Sequence, residues 1–152
     1  MTFVSDKSHG KPYTQRSNIE ARLTDIKTVI ANLLRLNINL SLKKKMLVHA
    51  IWEIAMSGGS FKGRYRSKGV LVPGVVIQRD HIYQKAGIVK RLLANPEQIE
   101  TILSDVAHCV VTKAEHEQLT SYSKMNPDID GWERYRGAEI AVMDMLTGKQ
   151  FI

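Results

Sequence analysis

Apolar side chains return at three- and four-residue steps through Ile19, Leu23, Ile26, Ile30 and Leu33, the spacing of one buried face of an α-helix. Ser17-Asn18-Ile19-Glu20 before it has the S-x-x-E form of a capping box, so the pattern predicts a helix over about 18–37. A polar break at 37–39 precedes a second cap candidate, Ser41. The same period then resumes with Leu42, Met46, Leu47, Ala50, Ile51 and Ile54, up to Ser57-Gly58-Gly59. Two antiparallel helices therefore open the fold. From Gly58 to Pro73 the helical period is lost and four glycines appear, which predicts a hairpin or looped ribbon. Val75-Val76-Ile77 is a β-branched run ending in Gln78-Arg79-Asp80-His81 and reads as a strand. Two short helices follow over 82–95 and 96–106, divided at Asn95-Pro96, because proline suits the first turn of a helix. His108-Cys109-Val110-Val111 reads as a second strand, and Thr112-Lys113-Ala114-Glu115 is another capping box that starts a helix. After a loop at Asn126-Pro127-Asp128, residues 132–140 and 142–146 read as a last helix and strand.

The expected fold is α+β: a helical hairpin over 17–57 packed on a small, mostly antiparallel sheet, with a ββα-like core within 58–152. Residues 1–16 are polar and aperiodic, and read as a flexible arm. At 152 residues, with 43% hydrophobic and 24% charged side chains, the composition is that of a globular domain and excludes a low-complexity or disordered chain. The lone Cys109 excludes an intramolecular disulfide and a cysteine-based zinc site. No apolar run approaches a membrane span, and a cytoplasmic protein with no membrane partner is the expectation.

Charge alters the picture most at residues 60–91, where eight basic and one acidic residue equal the net charge of the whole chain, +7. Within it Lys62, Arg64, Arg66 and Lys68 alternate with other residues, so an extended strand would place all four on one face. Their spacing of about 6.8 Å is commensurate with phosphates along a nucleic-acid strand. Cations on an edge strand also guard against aggregation, and an acidic protein is a third partner for such a face. Arg79 and Lys85 extend the basic set on either side of Asp80-His81. Lys43, Lys44 and Lys45 sit in the first turn of the second helix, where the helix dipole disfavours cations, and read as a solvated or ligand-facing cluster.

Three of the five histidines, His81, His108 and His116, fall at element boundaries within one window. Asp80-His81 at a strand end, followed by His108-Cys109-Val110-Val111-Thr112-Lys113-Ala114-Glu115-His116, resembles the HNH, or ββα-metal, nuclease superfamily. The resemblance implies that His81 is the general base that activates water and that Asp80 and His116 hold one divalent cation, Mg²⁺ or Mn²⁺. It also implies that His108 takes approximately the place of the asparagine that orients the base. Phosphodiester cleavage needs these parts: an activated water, a cation at the developing charge, and positive surface around the strand. The competing structural reading has Glu115 only completing its cap, His108 as a partly buried strand residue, and Asp80 paired with Arg79 or Lys85. Trp132-Glu133-Arg134-Tyr135-Arg136 reads as rings on the core with arginines in solvent, or as a base-stacking segment.

No G-x-S-x-G elbow occurs, and Gly58-Gly59-Ser60 lacks the ending of a phosphate loop. The expected function is nucleic-acid binding, with HNH-like metal-dependent endonuclease activity as its specific mechanism. The alternative is a non-catalytic interaction protein, of the kind phages and mobile elements use as inhibitors, docking its basic face on an acidic or nucleic-acid-binding protein.

Overall fold

The computed structural model describes residues 13, 15–57 and 63–152, together with the backbone of a short strand at residues 2–4. The fold is α+β. Helix α1 (Ile19–Arg35) and helix α2 (Leu40–Ala55) form the expected hairpin. Ile30 and Leu33 of α1 and Leu47, Ala50, Ile51 and Ile54 of α2 are buried against each other. The same core takes in Ile88, Val89 and Leu92 of α3 (Lys85–Ala94) and Ile102 and Leu103 of α4 (Ile99–Leu103). Among the described residues no helix is long and apolar enough to cross a membrane.

Among the described residues six strands make one sheet: β1 (Thr2–Val4), β2 (Tyr65–Ser67), β3 (Val76–His81), β4 (His108–Thr112), β5 (Val142–Asp144) and β6 (Lys149–Gln150), in the order β1-β3-β4-β2-β5-β6. Four of its five pairings are antiparallel and only β2–β4 is parallel. Strand β4 is buried along nearly its whole length because both of its faces are covered. Cys109 and Val111 point into a second core with Leu119 of α5 (Lys113–Met125) and Tyr135 of α6 (Trp132–Gly137). Val110, on the opposite face, packs with Val70 and Ile77. The alternation of side chains along β4 thus sends its apolar residues into two separate clusters, one on each face of the sheet.

Strands β3 and β4 pair from Ile77↔Thr112 to His81↔His108, and β4 runs directly into α5, which packs back over both strands. This is a ββα order, with α3 and α4 inserted in the connection. The turn into α5 is fixed by the predicted capping box. Thr112 Oγ1 accepts from Glu115 N at 3.1 Å, and Glu115 Oε2 accepts from Thr112 N at 2.8 Å and from the Ser67 hydroxyl at 2.5 Å.

The other two predicted caps differ. No side-chain bond caps α1, whose N-cap residue is Asn18 and not Ser17. Helix α2 is capped by Asn39, whose Oδ1 accepts from Leu42 N at 3.2 Å, and not by Ser41. Asn39 reaches the free N–H first because α2 starts two residues earlier than its apolar period implies. Parts of the expected arm belong to the domain: the backbone of 2–4 pairs with β3, and buried Tyr13 donates its N–H to Met145 O at 3.2 Å. The remainder of that segment, residues 1, 5–12 and 14, lies outside the described residues.

Replacing Thr112 by alanine removes one arm of the cap and leaves Glu115 N unsatisfied. A loss of about 1 kcal/mol in unfolding free energy is expected, measured by urea denaturation at neutral pH.

Candidate functional site

The end of β3 is the centre of the site. Successive residues of a strand face opposite ways, so Asp80 points toward α5 and α6 while Arg79 and His81 point toward α2. The strand ends at His81, and both side chains open into one cavity of about 520 Å³. Helix α5 supplies one wall through His116, Thr120, Ser123 and Lys124, which share a face at helical spacing. Trp52 of α2 and Lys85 of α3 supply the other.

Asp80 is 8% exposed, and two residues of α6 hold it there. Arg134 Nη2 donates to Oδ1 at 3.2 Å and to Oδ2 at 3.1 Å, and the Tyr135 hydroxyl donates to Oδ2 at 2.5 Å. Arg134 Nη1 donates in addition to the backbone carbonyls of His81 at 3.0 Å and Ile82 at 3.2 Å, so one buried guanidinium fixes the carboxylate and the end of the strand together. The helix carrying both residues starts at Gly131, whose φ of 68° favours glycine. A Cβ at this position would also lie 2.5 Å from the Tyr83 ring. Burial pushes the Asp80 carboxyl above its ordinary value, against the pull of Arg134, Tyr135 and His116.

His116 Nε2 lies 3.8 Å from Asp80 Oδ1 across the cavity. Tyr135 takes only Oδ2, so Oδ1 keeps acceptor capacity on the side of His116. This oxygen and this imidazole nitrogen are the pair that could hold a divalent cation. No group of three or more His, Cys, Asp or Glu side chains suited to a metal ion occurs among the described residues. A cation held here would take the rest of its shell from water and phosphate oxygens.

His81 packs against Trp52 with ring centroids 5.2 Å apart, and its Nε2 has no hydrogen-bond partner among the described residues. Burial, followed by the positive charge of Lys85, lowers its pKa to about 4, so the ring is neutral at pH 7. Lys85 Nζ stands 5.2 Å from the Trp52 ring centre. With Arg79, Lys85, Lys124 and Arg134 around a single carboxylate, the cavity has a net positive lining.

His108 does not belong to this cavity. It faces His81 across the β3–β4 ladder, but its Nδ1 lies 2.6 Å from the carbonyl of Ala55, where α2 leaves a backbone acceptor free. Because a carbonyl only accepts, the neutral ring carries its proton on Nδ1 and donates it there. That bond joins α2 to the sheet, and no hydrogen bond from His108 to the His81 side chain occurs among the described residues. Burial lowers the His108 pKa to about 4.

The expected row of phosphate-facing cations is likewise corrected. Lys62 lies outside the described residues. Arg64 forms a two-bond ion pair with Asp144 at 2.9 and 2.8 Å, and Arg66 is 1% exposed with Nε donating to Gly63 O at 3.0 Å. Lys68 is exposed, in a turn of 3₁₀ helix. The row is broken because β2 is only three residues long: Arg66 alone of the expected set lies in it, on a covered face, while Arg64 precedes it, paired with Asp144, and Lys68 follows it in the turn. Arg79 and Lys85, the other expected contacts, do line the cavity.

Arg134 and Tyr135 are the residues that sequence reasoning missed as partners of Asp80. Tyr135 was legible as a core ring, but Arg134 reads as a solvent-facing position, and no local pattern links it to a carboxylate 54 residues away. The wall of α5 had a signal, since Thr120, Ser123 and Lys124 follow His116 at helical steps.

Two stability measurements test this description. Arg134→Met strands Asp80 without its cation, and an unfolding free energy lower by about 3–5 kcal/mol is expected from urea denaturation. His108 binds its proton near pH 4 when folded and near pH 6.5 when unfolded, so protonation of the unfolded chain erodes stability as pH falls through that window. His108→Asn keeps an N–H for the Ala55 carbonyl and does not titrate, so its stability should fall less steeply between these pH values, by about 1.4 kcal/mol per pH unit at most. Comparison of the chain with protein-family models, with curated proteins and with solved structures finds no match, and the functional reading rests on the residues above.

Proposed function

We propose that the protein binds nucleic acid and hydrolyses a phosphodiester in the cavity at the end of β3, as a metal-dependent endonuclease of HNH-like type. The observation that carries this reading is the meeting of Asp80, His81 and His116 in one positively lined cavity, on a ββα frame. A cytoplasmic location is consistent with it.

The chain's own residues divide the work. Arg79, Lys85 and Lys124 draw a phosphate into the cavity and offset its charge. Neutral His81 is the base that accepts the proton of the attacking water; its Nε2 is buried and unpartnered among the described residues, so the ring must turn toward the cavity to do so. Arg134 keeps that imidazole in place indirectly, by binding the His81 and Ile82 carbonyls at the strand end. Asp80 Oδ1 and His116 Nε2 are the groups that would hold a divalent cation. Such a cation, when bound, stabilises charge on the phosphoryl and leaving oxygens.

A second reading, a non-catalytic protein docking on a partner through its basic surface, is favoured by one observation. Both Asp80 oxygens already accept from Arg134, and one accepts from Tyr135 as well.

Cleavage of plasmid DNA and of labelled single strands, DNA and RNA, with Mg²⁺ or Mn²⁺ separates the two. Wild type is expected to cut, and His81→Ala to lose about 10²- to 10⁴-fold in rate while binding within about twofold of wild type. His116→Ala should raise the Mn²⁺ concentration required. Undiminished cleavage by His81→Ala removes His81 as the base, and no cleavage by wild type with any of these substrates leaves the docking reading.

A further inference from the structure

Beside the cavity, a second depression of about 690 Å³ lies between α2 and α3. Val48, Val89 and Leu93 form an apolar floor, and Lys44 and Lys90 stand at its rim. The two depressions adjoin: Val48 is one helical turn from Trp52 on α2, and Ala86 of the groove follows Lys85 of the cavity on α3. Lys44, Val48 and Trp52 repeat every four residues, so one stripe of α2 runs from the far end of the groove to the cavity wall. No carboxylate lines the groove among the described residues.

We infer that this groove is the track of a single nucleic-acid strand leading away from the cavity. The inference rests on the cavity being a phosphodiester site. From Lys44 to Trp52 the stripe is about 12 Å long at the helical rise. At about 6.8 Å between phosphates of an extended strand, that is about two nucleotides. An apolar floor between cationic rims suits a strand whose bases are unpaired, with base surface buried against Val48, Val89 and Leu93 and phosphates toward Lys44, Lys90 and Lys85. A duplex keeps its bases stacked inside and would present only phosphates to that floor. The lysine cluster at the start of α2, placed where the helix dipole disfavours cations, gains a ligand-facing member in Lys44. Lys43 turns back instead to the Leu34 carbonyl, at 3.4 Å.

Fluorescence anisotropy of the full chain with short labelled oligothymidylate and oligouridylate tests the track, beside the same oligomer with abasic residues, a duplex of equal length and oligoglutamate. Lys44 and Lys90 are both exposed, so the double variant Lys44→Glu/Lys90→Glu is expected to fold. It should bind the better strand about tenfold or more weakly, with a salt slope shallower by about 1.4, from two phosphate contacts at about 0.7 each. The abasic oligomer should bind wild type about tenfold more weakly than the strand with bases. Strand affinity that neither change alters, tighter binding of the duplex, or equal binding of oligoglutamate each overturns the track. Cleavage lost in His81→Ala, together with unchanged strand binding in the lysine variant, would leave the cavity reading standing while the track falls. Strand binding that depends on both lysines and on the bases, with no cleavage, would keep the track as a binding surface and remove the hydrolytic reading.

Discussion

The buried pair of Arg134 and Asp80 is the interaction on which the site depends. Taking a guanidinium and a carboxylate out of water costs several kcal/mol, and the pair is tolerated because each charge is met by further hydrogen bonds. Asp80 receives the Tyr135 hydroxyl, and Arg134 reaches the carbonyls of His81 and Ile82. One short helix, admitted to its position by a glycine, therefore locks the last residues of β3 from the far side of the sheet. With the strand end fixed, Asp80 and His81 keep opposite orientations yet share one opening.

Around that anchor the two helical layers have different tasks. The α1–α4 layer provides a large aliphatic core and presses Trp52 against His81, while α5 brings His116 to within 3.8 Å of Asp80. His108 ties the first layer to the sheet through the Ala55 carbonyl. Two neighbouring histidines on paired strands thus have different surroundings: His108 has a backbone partner on Nδ1, and His81 packs its ring on Trp52, with Nε2 buried and without a hydrogen-bond partner among the described residues. Burial keeps both neutral at pH 7.

Much of the fold was legible because it rests on local rules. The helical period of Ile19 to Leu33, the β-branched run before Asp80 and the Thr112–Glu115 box each specify structure within a few residues, and each element is present. The basic ribbon was misread for a physical reason. The alternation of Lys62 to Lys68 gives the two faces of a strand but neither how far the strand extends nor whether a face meets water: β2 stops at Ser67, and the face that carries Arg66 is covered. Asp80, His81 and His116 were found as residues. Their convergence depends on Arg134 and Tyr135, whose contacts cross more than fifty residues and leave no mark in local spacing.

The central claim is that His116 and Asp80 face a cation beside an uncharged His81, while His108 stands apart. Imidazole ¹⁵N chemical shifts of the three histidines, recorded at pH 7 as Mg²⁺ is added in the presence of a short single strand, test this most directly. The account predicts that His116 Nε2 moves most, that His81 shifts with the strand while remaining neutral, and that His108 is unmoved. Shifts absent from His116 and His81 at saturating strand and Mg²⁺ would contradict it.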